Sequence, residues 1–237
     1  MANPIKLVLL PGMEGTGSLF APFLKELPDW VQPVVVSYPT DQALDYRGHL
    51  DFVMAALPEE QPFVLLGESF SGPLALMAAA RHPKGLRGVI LCATFVNWPL
   101  PLATSIAGLI VSLGLFRLKS TALFLRILLG RNATDELRAL FSGALAGLKP
   151  EVLAARARAV MSVDYTAELR ECRVPVLVMV ADNDRIVAGR CPELIHRIRP
   201  EAEIKHFRSP HLILQCATPE AVSCICSFAE SIREVAD

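Results

Sequence analysis

Ser69 sits in the segment Leu66-Gly67-Glu68-Ser69-Phe70-Ser71-Gly72, between a short apolar run and an alanine- and leucine-rich stretch. A serine hydroxyl becomes a useful nucleophile when a neighbouring base takes its proton and a carboxylate orients that base. The sequence supplies five histidines and 24 acidic residues from which such partners can come. Small residues two before and two or three after the serine let a strand turn sharply into a helix, lifting the hydroxyl onto the rim of a sheet. Gly67 meets the first requirement; Ser71, which stands where the G-x-S-x-G pattern has glycine, and Gly72 just behind it meet the second. The competing reading is an ordinary strand-to-helix turn in which Ser69 caps the helix.

Such a serine needs a sheet to carry it. Short apolar runs at residues 5–10, 34–37, 63–66, 89–92 and 176–180 suit strands buried on both faces of a parallel sheet. Helical patterns are predicted between them, at 20–27, 44–57, 72–81, 192–198 and 219–235. The alternation predicts an α/β fold with a mostly parallel central sheet flanked by helices. Between about 95 and 165 the rhythm is helical, with no convincing strand. The expected organisation is therefore a core of residues 1–94 and 166–237, with 95–165 as a helical cap inserted after the fourth predicted strand, all within one structural domain. The 237 residues suit one such domain.

The layout resembles the α/β-hydrolase fold superfamily over nearly the whole chain, and that resemblance implies roles for three further segments. In Pro11-Gly12-Met13-Glu14-Gly15-Thr16-Gly17, the backbone N–H of Met13 would be one oxyanion donor and that of Phe70 the other. Many members carry His-Gly where this chain has Pro11-Gly12. In Ala181-Asp182-Asn183-Asp184, Asp184 stands in the position of the family's acid, with Asp182 as the fallback. In Ser209-Pro210-His211-Leu212, His211 stands in the position of the general base, with Pro210 replacing the usual glycine. The order Ser69, Asp184, His211 is the one this fold uses. The implied activity is cleavage of carboxylic esters or thioesters through an acyl-enzyme, without cofactor or metal. The loop at 11–17 also resembles those of plastid-type acyltransferases and lipase-like esterases. An acyltransferase, a C–C bond lyase on the same triad and a catalytically silent interaction protein remain open.

Composition narrows the ligand. A net charge of −1 and 7% aromatic residues speak against nucleic acid. Between Leu102 and Leu128 the cap is strongly apolar, which favours an apolar acyl group. A membrane span there is disfavoured by Pro99, Pro101, Gly108 and Gly114, although peripheral lipid contact stays compatible. The six cysteines are expected as free thiols, and cytoplasmic residence is the default. Oligomeric state is not legible.

Overall fold

The computed structural model describes residues 4–98, 129, 134–187 and 190–234. Six strands form one sheet, all pairs parallel, in the order β2-β1-β3-β4-β5-β6. They are β1 (Ile5–Leu10), β2 (Val31–Val35), β3 (Phe63–Glu68), β4 (Leu86–Cys92), β5 (Val176–Ala181) and β6 (Glu203–Phe207). The helices are α1 (Ala21–Leu24), α2 (Tyr46–Ala56), α3 (Gly72–Ala79), α4 (Asp135–Ala146), α5 (Pro150–Met161), α6 (Thr166–Glu171), α7 (Arg190–Ile198), α8 (Ile213–Cys216) and α9 (Thr218–Glu234). Single 3-10 turns cover Ser18–Phe20 and Ser69–Ser71.

The continuous apolar runs become strands because both sheet faces are covered. Along β1, Ile5, Leu7 and Leu9 join one buried cluster with Phe23 and the α9 residues Ile225 and Phe228. Val8 and Leu10 join a second, with α2 residues Leu50 and Val53 and α3 residues Leu74 and Ala78. The period-two alternation of strand side chains thus feeds two layers of helices. A third cluster sets Leu137, Phe141 and Ala144 of α4 against Leu19 and Leu212. That brings the inserted segment beside the loop carrying His211.

The insertion between β4 and β5 is tied at its stem. Trp98 N–H donates to Val163 O (3.1 Å) and Tyr165 N–H to Val96 O (2.7 Å). The apolar positions from Leu102 to Leu128 lie outside the described residues. Among the described residues no helix is long and apolar enough to cross a membrane. The six cysteines are free: Cys92, Cys172 and Cys191 are buried, and the other three partly so.

Several boundaries differ from the sequence expectation, each for a local reason. The second strand runs Val31–Val35 rather than 34–37, because after Val36 N–H reaches Leu9 O the chain turns and Tyr38 N–H bonds Gly15 O at 2.7 Å. The first helix shrinks to Ala21–Leu24, since an i→i+3 bond from Glu26 N–H to Phe23 O tightens it ahead of Pro28. The second begins at Tyr46, where the Asp45 carboxylate caps it by accepting from Gly48 N–H (2.9 Å). Strand β6 is not among the continuous apolar runs, although His206 reads as on or near a strand: it lies at the sheet edge, largely exposed, with the charged sequence Glu203-Ile-Lys-His-Phe207.

Candidate active site

Four loops at the carboxyl ends of β1, β3, β5 and β6 converge. Each holds one of the segments singled out in the sequence.

The turn after β3 carries Ser69 at φ 50°, a left-handed conformation unusual for a residue with a side chain. Two glycines permit it. A Cβ on Gly67 would collide with the backbone of Ser71, and one on Gly72 with the side chain of Thr94. Thr94 also holds the turn directly, its hydroxyl donating to the carbonyl of Ser69. Thr94 follows Ala93, itself at φ 45°, whose N–H is bound to Met179 O at 2.9 Å. The carboxyl end of β4 is thus bent to support the turn after β3.

His211 approaches from the loop after β6. Its Nε2 lies 2.7 Å from Ser69 Oγ, and its Nδ1 2.7 Å from Asp184 Oδ2. The remaining oxygen of Asp184 accepts from the N–H groups of Ile186 (2.8 Å) and Val187 (3.0 Å). The side chains of His211 and Asp184 are 2% and 6% exposed, so the pair is shielded from competing water. A carboxylate acceptor on Nδ1 puts the proton there, leaving Nε2 to accept from the serine hydroxyl. Asp182 points elsewhere and pairs with exposed His206, Nδ1 to Oδ1 at 2.8 Å. His49, His82 and His196 are not joined to this arrangement.

The loop after β1 lies alongside. A Cβ on Gly12 would sit 3.8 Å from Ser69 Cβ, so the backbone beside Met13 flanks the serine. Gly12 O accepts from Gly15 N–H (3.1 Å), closing a turn that Gly15 allows at φ 77°. Glu14 is buried, and its carboxylate accepts from Thr16 N–H (2.5 Å), Thr16 Oγ1 (2.5 Å) and Gly17 N–H (3.2 Å). Burial pushes its carboxyl above the usual range, opposed by those bonds and by the charge of Arg156. The Phe70 ring is stacked on Tyr46 (4.8 Å between centroids), and its carbonyl accepts from Tyr46 Oη at 3.0 Å.

Sequence reasoning overlooked the support behind these loops. Arg156 of α5 is fully buried and bonded to the carbonyls of Met13 and Glu14, 143 and 142 residues away. A signal for it existed. Val152, Arg156 and Val160 recur at helical spacing, so Arg156 occupies a buried stripe that Arg158 avoids. Tyr38, Tyr46, His49 and Thr94 carried no comparable local mark. Glu68, directly before Ser69, is also buried, and its Oε1 lacks a hydrogen-bond partner among the described residues.

The sequence profile of the serine aminopeptidase S33 family matches residues 33–209. A pimeloyl-[acyl-carrier protein] methyl ester esterase of Neisseria meningitidis is 32% identical over 178 residues, covering 67% of this chain and 65% of that protein. The chain therefore spans somewhat less than two thirds of that relative's length. The chloroplastic phytyl ester synthase 1 of Arabidopsis thaliana is 37% identical over 82 residues, 32% of this chain and 12% of that one. Among solved structures, an esterase from Exiguobacterium antarcticum superposes with a TM-score of 0.83 at 16% identity, covering 97% of this chain and 93% of that one.

Proposed function

The chain belongs to the serine aminopeptidase S33 family of the α/β-hydrolase fold, and from that premise we propose that it cleaves carboxylic esters or thioesters with Ser69 as nucleophile. The observation that carries this reading is the continuous line from Ser69 Oγ through both nitrogens of His211 to Asp184, with two 2.7 Å contacts. Similarity to a methyl ester esterase supports ester-bond hydrolysis as the reaction class.

In this reading Ser69 Oγ attacks the acyl carbonyl while its proton passes to His211 Nε2. Asp184 stabilises the imidazolium, and the N–H groups of Met13 and Phe70 receive the oxyanion. The tetrahedral intermediate collapses as His211 returns the proton to the leaving oxygen or sulfur, leaving an acyl-Ser69 ester. Water, activated by His211, then releases the acid. No cofactor or metal takes part. Residues 95–165 act as a lid, and the apolar positions from Leu102 to Leu128 favour an apolar acyl group. The match to a phytyl ester synthase favours one second reading, in which an alcohol replaces water as acceptor.

The test is fluorophosphonate labelling of wild type and Ser69→Ala, followed by turnover of p-nitrophenyl and CoA esters of increasing chain length. Expected are labelling that requires Ser69 and a rate that rises with acyl length. Folded wild-type protein that is neither labelled nor active overturns the serine-hydrolase reading. Activity confined to acetyl esters overturns the apolar acyl pocket. Ester formation outpacing hydrolysis in the presence of a long-chain alcohol selects the acyltransferase reading.

A further inference from the structure

Arg156 projects from α5, in the inserted segment, into a space with no water access. All three of its side-chain nitrogens are engaged. Nη1 donates to the carbonyls of Met13 (2.8 Å) and Glu14 (2.9 Å), and Nη2 to that of Pro39 (2.9 Å). Nε donates to Nε2 of His49 at 3.3 Å. His49 is oriented by its own Nδ1, 2.6 Å from Asp45 O, and its ring packs edge-on to Phe70 with centroids 5.3 Å apart. The loop is shaped to admit the guanidinium, since any side chain on Gly15 would overlap it.

A buried guanidinium bonded mainly to neutral carbonyls is costly. Two of its four bonds go to the turn that flanks Ser69. In a trans peptide the Met13 N–H points opposite to the Gly12 carbonyl. That carbonyl is turned onto Gly15 N–H, and the next one, of Met13, is fixed by Arg156. We infer that Arg156 is a positioning residue for the oxyanion hole: from the inserted segment it aims the Met13 N–H, and through His49 it steadies Phe70, the other donor. This rests on the hydrolase reading above. Helix α5 and the oxyanion hole are thereby one mechanical unit.

The experiment measures kcat, KM and inhibition by a trifluoromethyl ketone for Arg156→Lys and Arg156→Met, normalised to Ser69 sites titrated to completion with a fluorophosphonate. Loss of a single oxyanion donor costs about 100- to 1000-fold in kcat, so misaiming one should cost roughly 10- to 100-fold. Expected are that loss with KM within about twofold, a parallel weakening of the ketone, and no recovery with lysine, which keeps the charge but has one nitrogen. Arg156→Lys serves where the methionine variant does not fold. Variants that lose only titratable sites or thermal stability, with wild-type kcat per remaining site, overturn the inference. Wild-type protein without Ser69-dependent labelling overturns the hydrolase reading itself, and this inference with it.

Discussion

The hydroxyl of Ser71 donates to the backbone carbonyl of Pro11. These two residues are departures from the usual family pattern, glycine in one case and histidine in the other, and they meet across 60 residues of sequence. The same hydroxyl is 2.8 Å from Tyr38 Oη, which is fully buried. A side chain that looks like a flaw in the turn after Ser69 therefore joins that turn to the loop after β1. Restoring the common glycine should harm this chain. Ser71→Gly leaves the Pro11 carbonyl and the Tyr38 hydroxyl buried with a lost partner each, at about 1–3 kcal/mol per group. Urea denaturation should show Ser71→Gly destabilised by at least that much, and Ser71→Gly with Tyr38→Phe less destabilised than the two single changes summed. Strict additivity would rule out the coupling.

The two candidate acids should separate cleanly. Asp184 orients the buried His211, whereas Asp182 pairs at the surface with His206. Asp184→Asn keeps the shape but removes the acceptor that fixes the imidazole tautomer, so kcat should fall by about 10³- to 10⁴-fold. Asp182→Asn removes an exposed pair worth about 0–1 kcal/mol and should change kcat less than twofold. Steady-state kinetics on one p-nitrophenyl ester decides it, and equal losses would mean that the charge of the whole loop matters rather than Asp184.

What could be read from the sequence was what is local. Ile5–Leu10, apart from Lys6, and Phe63–Leu66 are apolar because each strand is covered on both faces, so a short window suffices to recognise them. Edge strand β6 has one neighbour and much solvent exposure, so Glu203-Ile-Lys-His-Phe207 carries no such mark. The choice between Asp182 and Asp184, two residues apart, depends on which faces His211, and that is set by a loop 27 residues on. For Arg156 the helical spacing marks a buried position but not what it binds. Its partners at Met13, Glu14 and His49 lie more than 100 residues away, and no pattern in the alanine- and arginine-rich helix names them.

The strain at Ser69 should depend on Thr94. A left-handed φ on a residue with a side chain persists only where its surroundings enforce it, and the Thr94 hydroxyl is bonded to the Ser69 carbonyl. Thr94→Val keeps the volume and the contact with Gly72 but removes the donor. Stability should drop by about 1–3 kcal/mol, and kcat should fall by roughly tenfold as Ser69 loses its aim on His211, equivalent to about 1.4 kcal/mol of barrier. Thr94→Ser should retain most of the activity. Should valine match wild type in both calorimetry and kcat, the glycines alone hold the turn.

Glu68 makes the stability of this protein depend on pH in a way opposite to most carboxylates. Full burial pushes its carboxyl up to about 7, against the opposing pull of the bond to Gln215 and the attraction of His211. Below pH 7 the folded protein holds this proton, while the unfolded chain releases it above the ordinary carboxylate range, near pH 4.3. Between those limits the native state binds more protons, so the contribution of Glu68 to stability declines as pH rises, by about 1.4 kcal/mol per pH unit at most, and is flat on either side. Glu68→Gln is neutral at every pH and lacks the dependence. The stability of wild type relative to Glu68→Gln should therefore fall from pH 4.5 to 7 and then level off. Urea midpoints for both proteins across that range test it. A difference that stays constant would mean that Glu68 is ionised within the fold throughout, with its orphaned Oε1 satisfied by water.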